Sequence, residues 1–323
     1  METVVVTGVA GFIGSNLADH LLAKGYKVLG LDNFSTGKTK FLESANNHPN
    51  FKLIICDLSD INSFKDSLSG YDFVFHLAAN ADVRFGIEHP RKDLEQNTLV
   101  TFNVLEAMRV NNIKKIVFSS TGSIYGESQI IPTPEDCPMP IQTSLYAASK
   151  ISCESMIQAY CEGFEFQSWI FRFVSVLGER YTHGHIIDFY SKLKKNPNKL
   201  HVLGNGHQQK SYIYIQDCIL GMMLGVEKAD NKVNIFNLGT EESIEVFDSI
   251  EVIKEFLNVQ PEIITQNSIR GWIGDNPIIL LDINKIKSLG WMPKLSIRDG
   301  IQKTLKWIEK NKWFFVELEK KKT

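Results

Sequence analysis

The sequence predicts an α/β protein in which helices cover both faces of a parallel sheet, with a smaller α/β lobe in the second half. Up to residue 172, short apolar runs rich in β-branched residues alternate with longer amphipathic segments. Apolar runs without polar alternation are typical of parallel strands that are buried on both faces. A glycine-rich turn follows the first run. These three observations predict a doubly wound sheet of the Rossmann type.

Six apolar runs are predicted to form the strands of this sheet: residues 3–6, 27–31, 51–56, 73–76, 115–119 and 167–171. Between them, residues 12–24 and 93–111 carry apolar side chains at intervals of three and four, which predicts amphipathic helices. Strands separated by helices pair in parallel, because the helix carries the chain back across the sheet. Residues 1–172 are therefore predicted to form one doubly wound domain.

The regular alternation weakens after residue 172, so residues 173–323 are predicted mainly as a second lobe. Loops rich in Gly, Asn, Pro and His are predicted at residues 178–184, 196–198 and 204–207. A segment near residues 212–240, with a strand at 234–237, is predicted to return to the first sheet. Helices are predicted at residues 244–257, 283–289 and 296–312.

Composition excludes several classes of function. The net charge of the 323-residue chain is only -2, which argues against a nucleic-acid surface or a polybasic membrane patch. The five cysteines form no CxxC pair, so no metal site is predicted and a reducing compartment is expected. No apolar stretch reaches the roughly 20 residues needed to span a bilayer. We therefore expect a cytoplasmic protein.

The turn after the first predicted strand has the spacing of a phosphate-binding loop. Gly8, Gly11 and Gly14 form a GxxGxxG pattern that lets the backbone approach a pyrophosphate closely. The helix that follows offers free N–H groups to the phosphates. Asp32 ends the second predicted strand, near the spacing expected for an acid that binds ribose hydroxyls. Because a carboxylate repels a 2′-phosphate, the predicted cofactor is NAD rather than NADP.

A second group of residues has the pattern of a catalytic site. Tyr146 and Lys150 are four residues apart and so lie on one face of a predicted helix. An ammonium next to a tyrosine, helped by the positive nicotinamide ring of the predicted cofactor, stabilises the phenolate and lowers the pKa of the phenol. Thr121 ends the Ser119-Ser120-Thr121 segment at the carboxyl end of a strand, where it can bond the same hydroxyl. Tyr146, Lys150 and Thr121 are the predicted catalytic residues.

With these motifs the chain resembles an extended short-chain dehydrogenase/reductase of the NAD-dependent epimerase/dehydratase family, over nearly its full length. Further matches are His76-Leu77-Ala78-Ala79, Tyr212-Ile213-Tyr214-Ile215-Gln216-Asp217 and Arg270-Gly271-Trp272-Ile273-Gly274-Asp275. The glycine loop and the resemblance together imply the following cofactor contacts: Gly8, Gly11, Phe12, Ile13, Gly14, Asp32, Asn33, Ser35, Thr36, Gly37, Asp57, Leu58, Leu77, Ala78, Ala79, Asn97, Ser119, Tyr146 and Lys150.

The residues after Thr121 separate the reactions known in this family. The 4,6-dehydratases place an acid there, because the loss of water needs a proton donor. This chain has Gly122 and Ser123 instead, so it resembles the 4-epimerases. The expected reaction inverts C4 of a nucleotide-linked hexose, such as UDP-glucose, UDP-galactose or an N-acetyl analogue, through a 4-keto sugar. A nucleotide-sugar 4-ketoreductase or dehydrogenase, an epimerase at another carbon and a non-catalytic NAD-binding regulator stay open.

The substrate side of the resemblance is less regular. Candidate substrate contacts are Thr121, Ser175, Lys210 and Arg270, with the second lobe expected to bind the nucleotide sugar. Ser175 stands where the family usually has Asn, and the family's Gly-x-Gly-x-Gln-x-Arg-Asp pattern is altered around Lys210. The resemblance also implies a homodimer, in which helices at 93–111 and 146–161 pair with those of a second subunit.

Overall fold

A computed structural model describes residues 2–320. Its strands are, in chain order, β1 (Thr3–Thr7), β2 (Lys27–Asp32), β3 (Phe51–Ile55), β4 (Phe73–His76), β5 (Lys115–Thr121), β6 (Gln167–Phe173), β7 (Ser175–Leu177), β8 (Lys199–His201), β9 (Gln209–Lys210), β10 (Tyr212–Tyr214), β11 (Val233–Leu238), β12 (Ile244–Glu245), β13 (Glu262–Ile264) and β14 (Ile278–Ile279). All six predicted strands of the first half are present, and most differ from their predicted bounds by one or two residues.

The α-helices are α1 (Phe12–Ala23), α2 (Glu43–Asn46), α3 (Phe85–Glu88), α4 (Pro90–Asp93), α5 (Val100–Val110), α6 (Leu145–Phe164), α7 (His185–Lys195), α8 (Ile215–Lys228), α9 (Val246–Leu257), α10 (Asn284–Lys287), α11 (Ile297–Lys310) and α12 (Lys312–Lys320). Short 3₁₀ segments are Thr39–Leu42, Ile61–Ser63, Lys65–Leu68 and Gly122–Tyr125, and Leu94–Leu99 is a π-helix.

Within the described residues, seven strands form one sheet in the order β11-β6-β5-β4-β1-β2-β3. Every neighbouring pair is parallel. The order reverses between β1 and β4, where successive connections leave the sheet in opposite directions. Such a switch point opens a crevice at the carboxyl ends of the strands, and ligands of doubly wound proteins bind there. The Rossmann-type sheet is therefore confirmed.

Helices cover both faces of this sheet, as the alternation of buried side chains shows. Val4 and Val6 of β1 belong to a core shared with Leu17 of α1. Val5, between them, points to the other face and belongs to a core with Leu105 of α5 and Ile157 of α6. Because every second residue of a strand faces the same side, the apolar run of β1 fills both cores.

The second lobe consists of short sheets and helices. Strands β7 and β10 pair in parallel, β9 lies between β12 and β14, and β8 pairs with β13. The predicted strand at 234–237 is β11, which adds to the main sheet beside β6. The division of the chain near residue 172 stays a prediction.

Four predicted helices are interrupted, divided or shortened by two or more residues in the structure. The helix predicted at 93–111 is interrupted by the π-helix Leu94–Leu99, in which the Asn97 side chain is bonded to neighbouring segments rather than exposed. The helix predicted at 244–257 begins at Val246, because the two preceding residues pair with β9. The helix at 283–289 shortens to α10, and the last predicted helix divides into α11 and α12.

All five cysteines are free and buried. Among the described residues, no helix is both long and apolar enough to cross a bilayer. The same residues contain no group of three or more His, Cys, Asp or Glu side chains arranged to hold a metal ion.

Candidate active site

The glycine turn after β1 has a geometry that other residues cannot adopt. Gly8 has a φ of +67°, and a Cβ there would lie 2.8 Å from the backbone nitrogen of Ala78. A Cβ on Gly14 would lie 2.2 Å from the carbonyl oxygen of Gly8. Helix α1 begins at Phe12, and its N-cap residue Gly11 makes no side-chain capping bond. The N–H groups of Phe12, Ile13 and Gly14 in the first turn are therefore placed to bind an anion.

Asp32 lies at the end of β2, next to this turn. Its carboxylate accepts hydrogen bonds from the backbone N–H of Ala10 at 2.9 Å and of Phe34 at 2.7 Å. Burial raises the pKa of Asp32, while these backbone hydrogen bonds lower it. A Cβ on Gly37 would lie 3.0 Å from the carboxylate, so the loop folds closely around it. Two carboxylate oxygens offer about four acceptor positions. Asp32 can therefore also accept bonds from ribose hydroxyls.

The remaining residues predicted on the adenosine side surround this loop. Asn33, Ser35 and Thr36 are exposed, and the N–H of Ser35 bonds the Asn33 side chain at 3.0 Å. Asp57 follows β3, and hydrogen bonds from Ser59 hold the pKa of its carboxyl below the usual range. The buried side chain of Leu58 belongs to the core on the α5 face. The structure thus brings these residues to one end of the crevice.

His76 holds the β4 end of the crevice and is part of the core. The N–H groups of Leu77 and Ala78 both donate to Thr7 Oγ1 at 3.1 Å. The Thr7 hydroxyl therefore donates to His76 Nδ1 at 2.7 Å, and His76 Nε2 donates to Thr101 at 3.0 Å. Burial lowers the pKa of His76 to about 3, so the ring is neutral. His76 fixes the backbone that leads into Ala79.

The catalytic candidates lie at the opposite wall of the crevice. Ser144 caps α6 by accepting a bond from the backbone N–H of Ala147 at 3.2 Å. This cap places Tyr146 in the first turn of the helix and Lys150 one turn later. The ammonium of Lys150 donates to the carbonyl of Ser119 at 2.8 Å. Thr121, the last residue of β5, lies close enough to Tyr146 to lower the pKa of the phenol. The three predicted catalytic residues are therefore brought together.

Burial determines the protonation of this group in the protein without its cofactor. Burial raises the pKa of Tyr146 to about 12, although the nearby Thr121 lowers it. Burial also lowers the pKa of Lys150 to about 8. Desolvation of the phenol dominates in the protein alone, so the predicted lowering of the pKa by Lys150 together with the nicotinamide ring stays a prediction for the protein with bound cofactor. A further positive charge is needed before Tyr146 can act as a base at neutral pH.

Asn97, predicted as a cofactor contact, joins the crevice loop to the catalytic helix. Its Oδ1 accepts a bond from the backbone N–H of Asn80 at 2.8 Å, and its Nδ2 donates to Ser149 at 2.8 Å. Ser149 in turn donates to the carbonyl of Tyr146 at 2.7 Å. Asn97 thus fixes the position of Tyr146 through its neighbours. The pattern of the sequence did not predict this role.

A buried ion pair behind the catalytic strand was also missed. Glu154 and Arg172 are each 3% exposed in their side chains and are 2.7 Å apart. The hydroxyl of Ser120 donates to Glu154, and Arg172 also donates to Tyr125 at 2.7 Å. The available signal was the four-residue spacing of Glu154 from Lys150, which places both on one face of α6.

Three of the candidate substrate contacts, Ser175, Lys210 and Arg270, are not joined to one another by a hydrogen bond or ion pair within the described residues. Ser175 is exposed at the start of β7. Lys210 is buried, and its ammonium donates to Asp275 at 2.7 Å and to the carbonyl of Asn276. Arg270 is about half exposed and pairs with Glu127. Both predicted cations are therefore engaged within the protein.

The described residues fit a dinucleotide with a free ribose 2′-hydroxyl. No side chain fits at Gly8, because its backbone packs against the backbone of Ala78. Without a side chain there, a pyrophosphate can reach the N–H groups in the first turn of α1. Asp32 supplies the acceptor for the ribose, and Tyr146 and Lys150 lie at the other end of the crevice. Fold and site together define the class of NAD-binding proteins of the short-chain dehydrogenase/reductase type.

The chain belongs to the NAD-dependent epimerase/dehydratase family, because the model of that family matches residues 4–239. A Methanocaldococcus jannaschii protein provisionally named UDP-glucose 4-epimerase is 33% identical over 314 residues, covering 95% of this chain and 99% of that protein. The human dTDP-D-glucose 4,6-dehydratase is 28% identical over 322 residues, covering 96% of this chain and 91% of the human protein. Relatives therefore include epimerases and dehydratases.

The solved structures that this chain resembles include 4-epimerases of UDP-sugars. A UDP-galactose 4-epimerase is 35% identical and superposes with a TM-score of 0.86, covering 96% of this chain and 100% of that one. The Bacillus cereus UDP-glucuronic acid 4-epimerase, solved with UDP-glucuronic acid and NAD, is 28% identical with a TM-score of 0.87. That comparison covers 95% of this chain and 99% of the other.

Proposed function

We propose that this protein is an NAD-dependent epimerase that inverts C4 of a UDP-linked hexose. The observation that carries the proposal is the meeting of Thr121, Tyr146 and Lys150 at the crevice, with no acid directly after Thr121. Gly122 and Ser123 occupy the positions where a dehydratase needs a proton donor. Similarity to several UDP-sugar 4-epimerases supports the same reaction.

The cofactor would lie along the crevice from Asp32 to Lys150. The glycine turn and the first turn of α1 would hold the pyrophosphate, and Asp32 the adenosine ribose. Leu77, Ala78 and Ala79 would line the path to the nicotinamide end, near Ser119. Bound NAD supplies the acceptor and donor of the hydride at C4 of the sugar.

Proton transfer falls to the residues of α6 and β5. Tyr146 would take the proton of the sugar 4-hydroxyl and return it after the 4-keto sugar has turned over in the site. Thr121, which lies close to the phenol, would orient the same oxygen. Lys150 has one donor bonded to Ser119. Its other two N–H donors can bind the nicotinamide ribose and stabilise the phenolate.

The proposed site for the sugar diphosphate uses Arg270 before Lys210. Arg270 is half exposed, and its guanidinium can bind a phosphate in a bidentate fashion once it leaves Glu127. Lys210 would act on the diphosphate only as part of a nearly neutral pair with Asp275. Ser175 would replace the usual amide contact with a shorter hydroxyl.

The proposal includes a homodimer. Leu94, Leu99 and Phe102 lie before and within α5 and are each more than 40% exposed. Leu145, at the start of α6, is 46% exposed. A second copy of the two helices would cover this apolar face. Sedimentation at micromolar concentration should give a dimer, and a monomer would exclude this part of the proposal.

The test of the reaction is incubation with UDP-glucose, UDP-galactose, UDP-glucuronate and UDP-N-acetylglucosamine, each followed by NMR. Inversion at C4 without added NADH is the expected result for at least one sugar. Inversion at another carbon would assign a different epimerase. Release of a 4-keto sugar with conversion of added NAD to an equal amount of NADH would assign a 4-dehydrogenase, the reverse of a 4-ketoreductase, and both results would remove the proposed function.

A further inference from the structure

The C-terminal helix α12 packs against the segment that follows the ribose-binding acid. Phe41, in the 3₁₀ segment after Gly37, contacts three rings of the C-terminal region at centroid distances of 5.9–6.1 Å: Trp307, Trp313 and Phe314. Phe41 is 1% exposed and Phe314 is fully buried. Because this contact is buried and aromatic, α12 has a fixed position over the loop.

One ion pair joins α12 to the rim of the predicted cofactor site. The ammonium of Lys38 lies 2.5 Å from the carboxylate of Glu317, with side-chain exposures of 13% and 40%. The backbone N–H of Lys38 donates to the carbonyl of Ala10 at 2.9 Å. Ala10 also donates to Asp32, so Lys38 is connected through one residue to the ribose-binding carboxylate. The backbone of Lys38 thus lies beside the predicted place of the adenosine ribose, and its side chain extends from there to Glu317.

The charges around this rim favour a ribose without a phosphate. A second cation near the loop is Lys40, whose ammonium lies 4.6 Å from the centre of the Trp313 ring. The acids are Asp32, Glu317 and Asp57, the last of which is bonded to Asn33. In related folds a cation at this position accommodates the 2′-phosphate of NADP. In this protein the ammonium of Lys38 is already paired with the carboxylate of Glu317.

We propose that Glu317 is a cofactor-specificity residue, which excludes NADP by holding the ammonium of Lys38 away from a ribose 2′-phosphate. The proposal rests on the proposed cofactor site. A 2′-phosphate would meet the Asp32 carboxylate on one side and a neutralised Lys38 on the other. An ordinary exposed ion pair contributes little, because two mobile side chains must be ordered. This pair differs, since the buried contact of Phe41 already positions the helix that carries Glu317.

The test is the ratio of NADP affinity to NAD affinity, measured by competition between the two nucleotides in the full-length protein. Glu317→Gln keeps the shape of the side chain and removes its charge. We expect this variant to raise the ratio at least about threefold, because Lys38 becomes available to the phosphate. Adding Lys38→Met to the same variant should return the ratio to the value of Lys38→Met alone.

Glu255→Gln is the matched control, because it removes an exposed carboxylate of α9 that pairs with Arg298 of α11 rather than with the loop after β2. Its ratio should equal that of the unchanged protein. The inference is overturned if Glu317→Gln leaves the ratio unchanged, or if the increase persists without Lys38. A protein that binds neither nucleotide would instead contradict the proposed function, so the two failures are distinguishable.

Discussion

The cofactor edge of the crevice and the surface around Lys210 and Arg270 are built in different ways. At the cofactor edge, the turn between β1 and α1 is held by backbone atoms, and a Cβ on Gly14 would lie 2.2 Å from a carbonyl oxygen. At the surface around Lys210 and Arg270, which we propose binds the sugar diphosphate, the cations are held by side chains from distant loops, such as Asp275 for Lys210. The first arrangement tolerates few substitutions, whereas the second can change one pair at a time. Departures from the family pattern accordingly lie on the second side.

The largest effect is expected at the chemical centre between the two regions. Tyr146→Phe should lower turnover about 1,000-fold, because the phenol is the proposed proton acceptor and donor. Its affinity for NAD should stay nearly unchanged, since the pyrophosphate and ribose contacts are intact. Steady-state kinetics and nucleotide binding measure the two effects. A variant with at least a tenth of the original turnover would contradict the assignment.

The rigidity of the cofactor edge is tested by Gly14→Ala. The added methyl group must displace the backbone of Gly8, which is expected to lower the free energy of unfolding by about 2 kcal/mol. Affinity for NAD should fall at least about tenfold, a change of about 1.4 kcal/mol. Gly163→Ala is the control, because a Cβ there meets nothing within 4 Å. In helix α6 it should stabilise the protein by up to about 1 kcal/mol.

The two cations of the sugar-diphosphate side should respond differently to loss of their partners. Asp275→Asn leaves the buried ammonium of Lys210 without its carboxylate, and should cost about 3 kcal/mol of unfolding free energy. Glu127→Gln removes the exposed partner of Arg270, and should change stability by less than about 0.5 kcal/mol. Because it frees Arg270, Glu127→Gln should lower the KM for the UDP-sugar. Equal losses of stability in the two variants would contradict the structure.

The last prediction concerns the pH dependence of stability and two buried histidines, one in each region. Burial lowers the pKa of His76 and of His185 to about 3. The unfolded chain binds a proton at each of these residues below its ordinary pKa of 6.5, while the folded protein does not. Each histidine therefore makes stability fall as the pH drops from 6.5 towards 3, by about 1.4 kcal/mol per pH unit.

Each of the variants His76→Gln and His185→Gln lacks one of these titrating groups. Each should therefore reduce the slope of stability against pH by about 1.4 kcal/mol per pH unit, which corresponds to one proton. Denaturant unfolding at a series of pH values measures the slope independently of the absolute stability of each variant. An unchanged slope in His76→Gln would show that the ring does not lie neutral beneath the cofactor edge.

The sequence predicts the main sheet and the cofactor edge well, because local signals specify them. Asp32 at the end of β2, Thr121 at the end of β5 and Tyr146 in the first turn of α6 lie where the pattern of runs and turns places them. These positions follow from strand ends and helix starts, which short stretches of sequence determine.

The rest depends on residues that are distant in the chain. Lys210 and Asp275 are 65 residues apart, and no local pattern indicates that they pair. The spacing of apolar residues does not predict the π-helix at Leu94–Leu99 either. This turn is stabilised by a hydrogen bond from Asn97 to Ser149, which lies in another helix. The raised pKa of Tyr146 follows from burial, which composition and spacing do not measure.

The most direct test of the proposed reaction follows the hydrogen at C4. The UDP-sugar that turns over is prepared with deuterium at C4 and incubated with the purified protein in ordinary water, in the presence of free NAD. Epimerisation within one site predicts that the inverted product keeps its deuterium at C4. Deuterium found in the water or in a free pool of NADH would contradict the account.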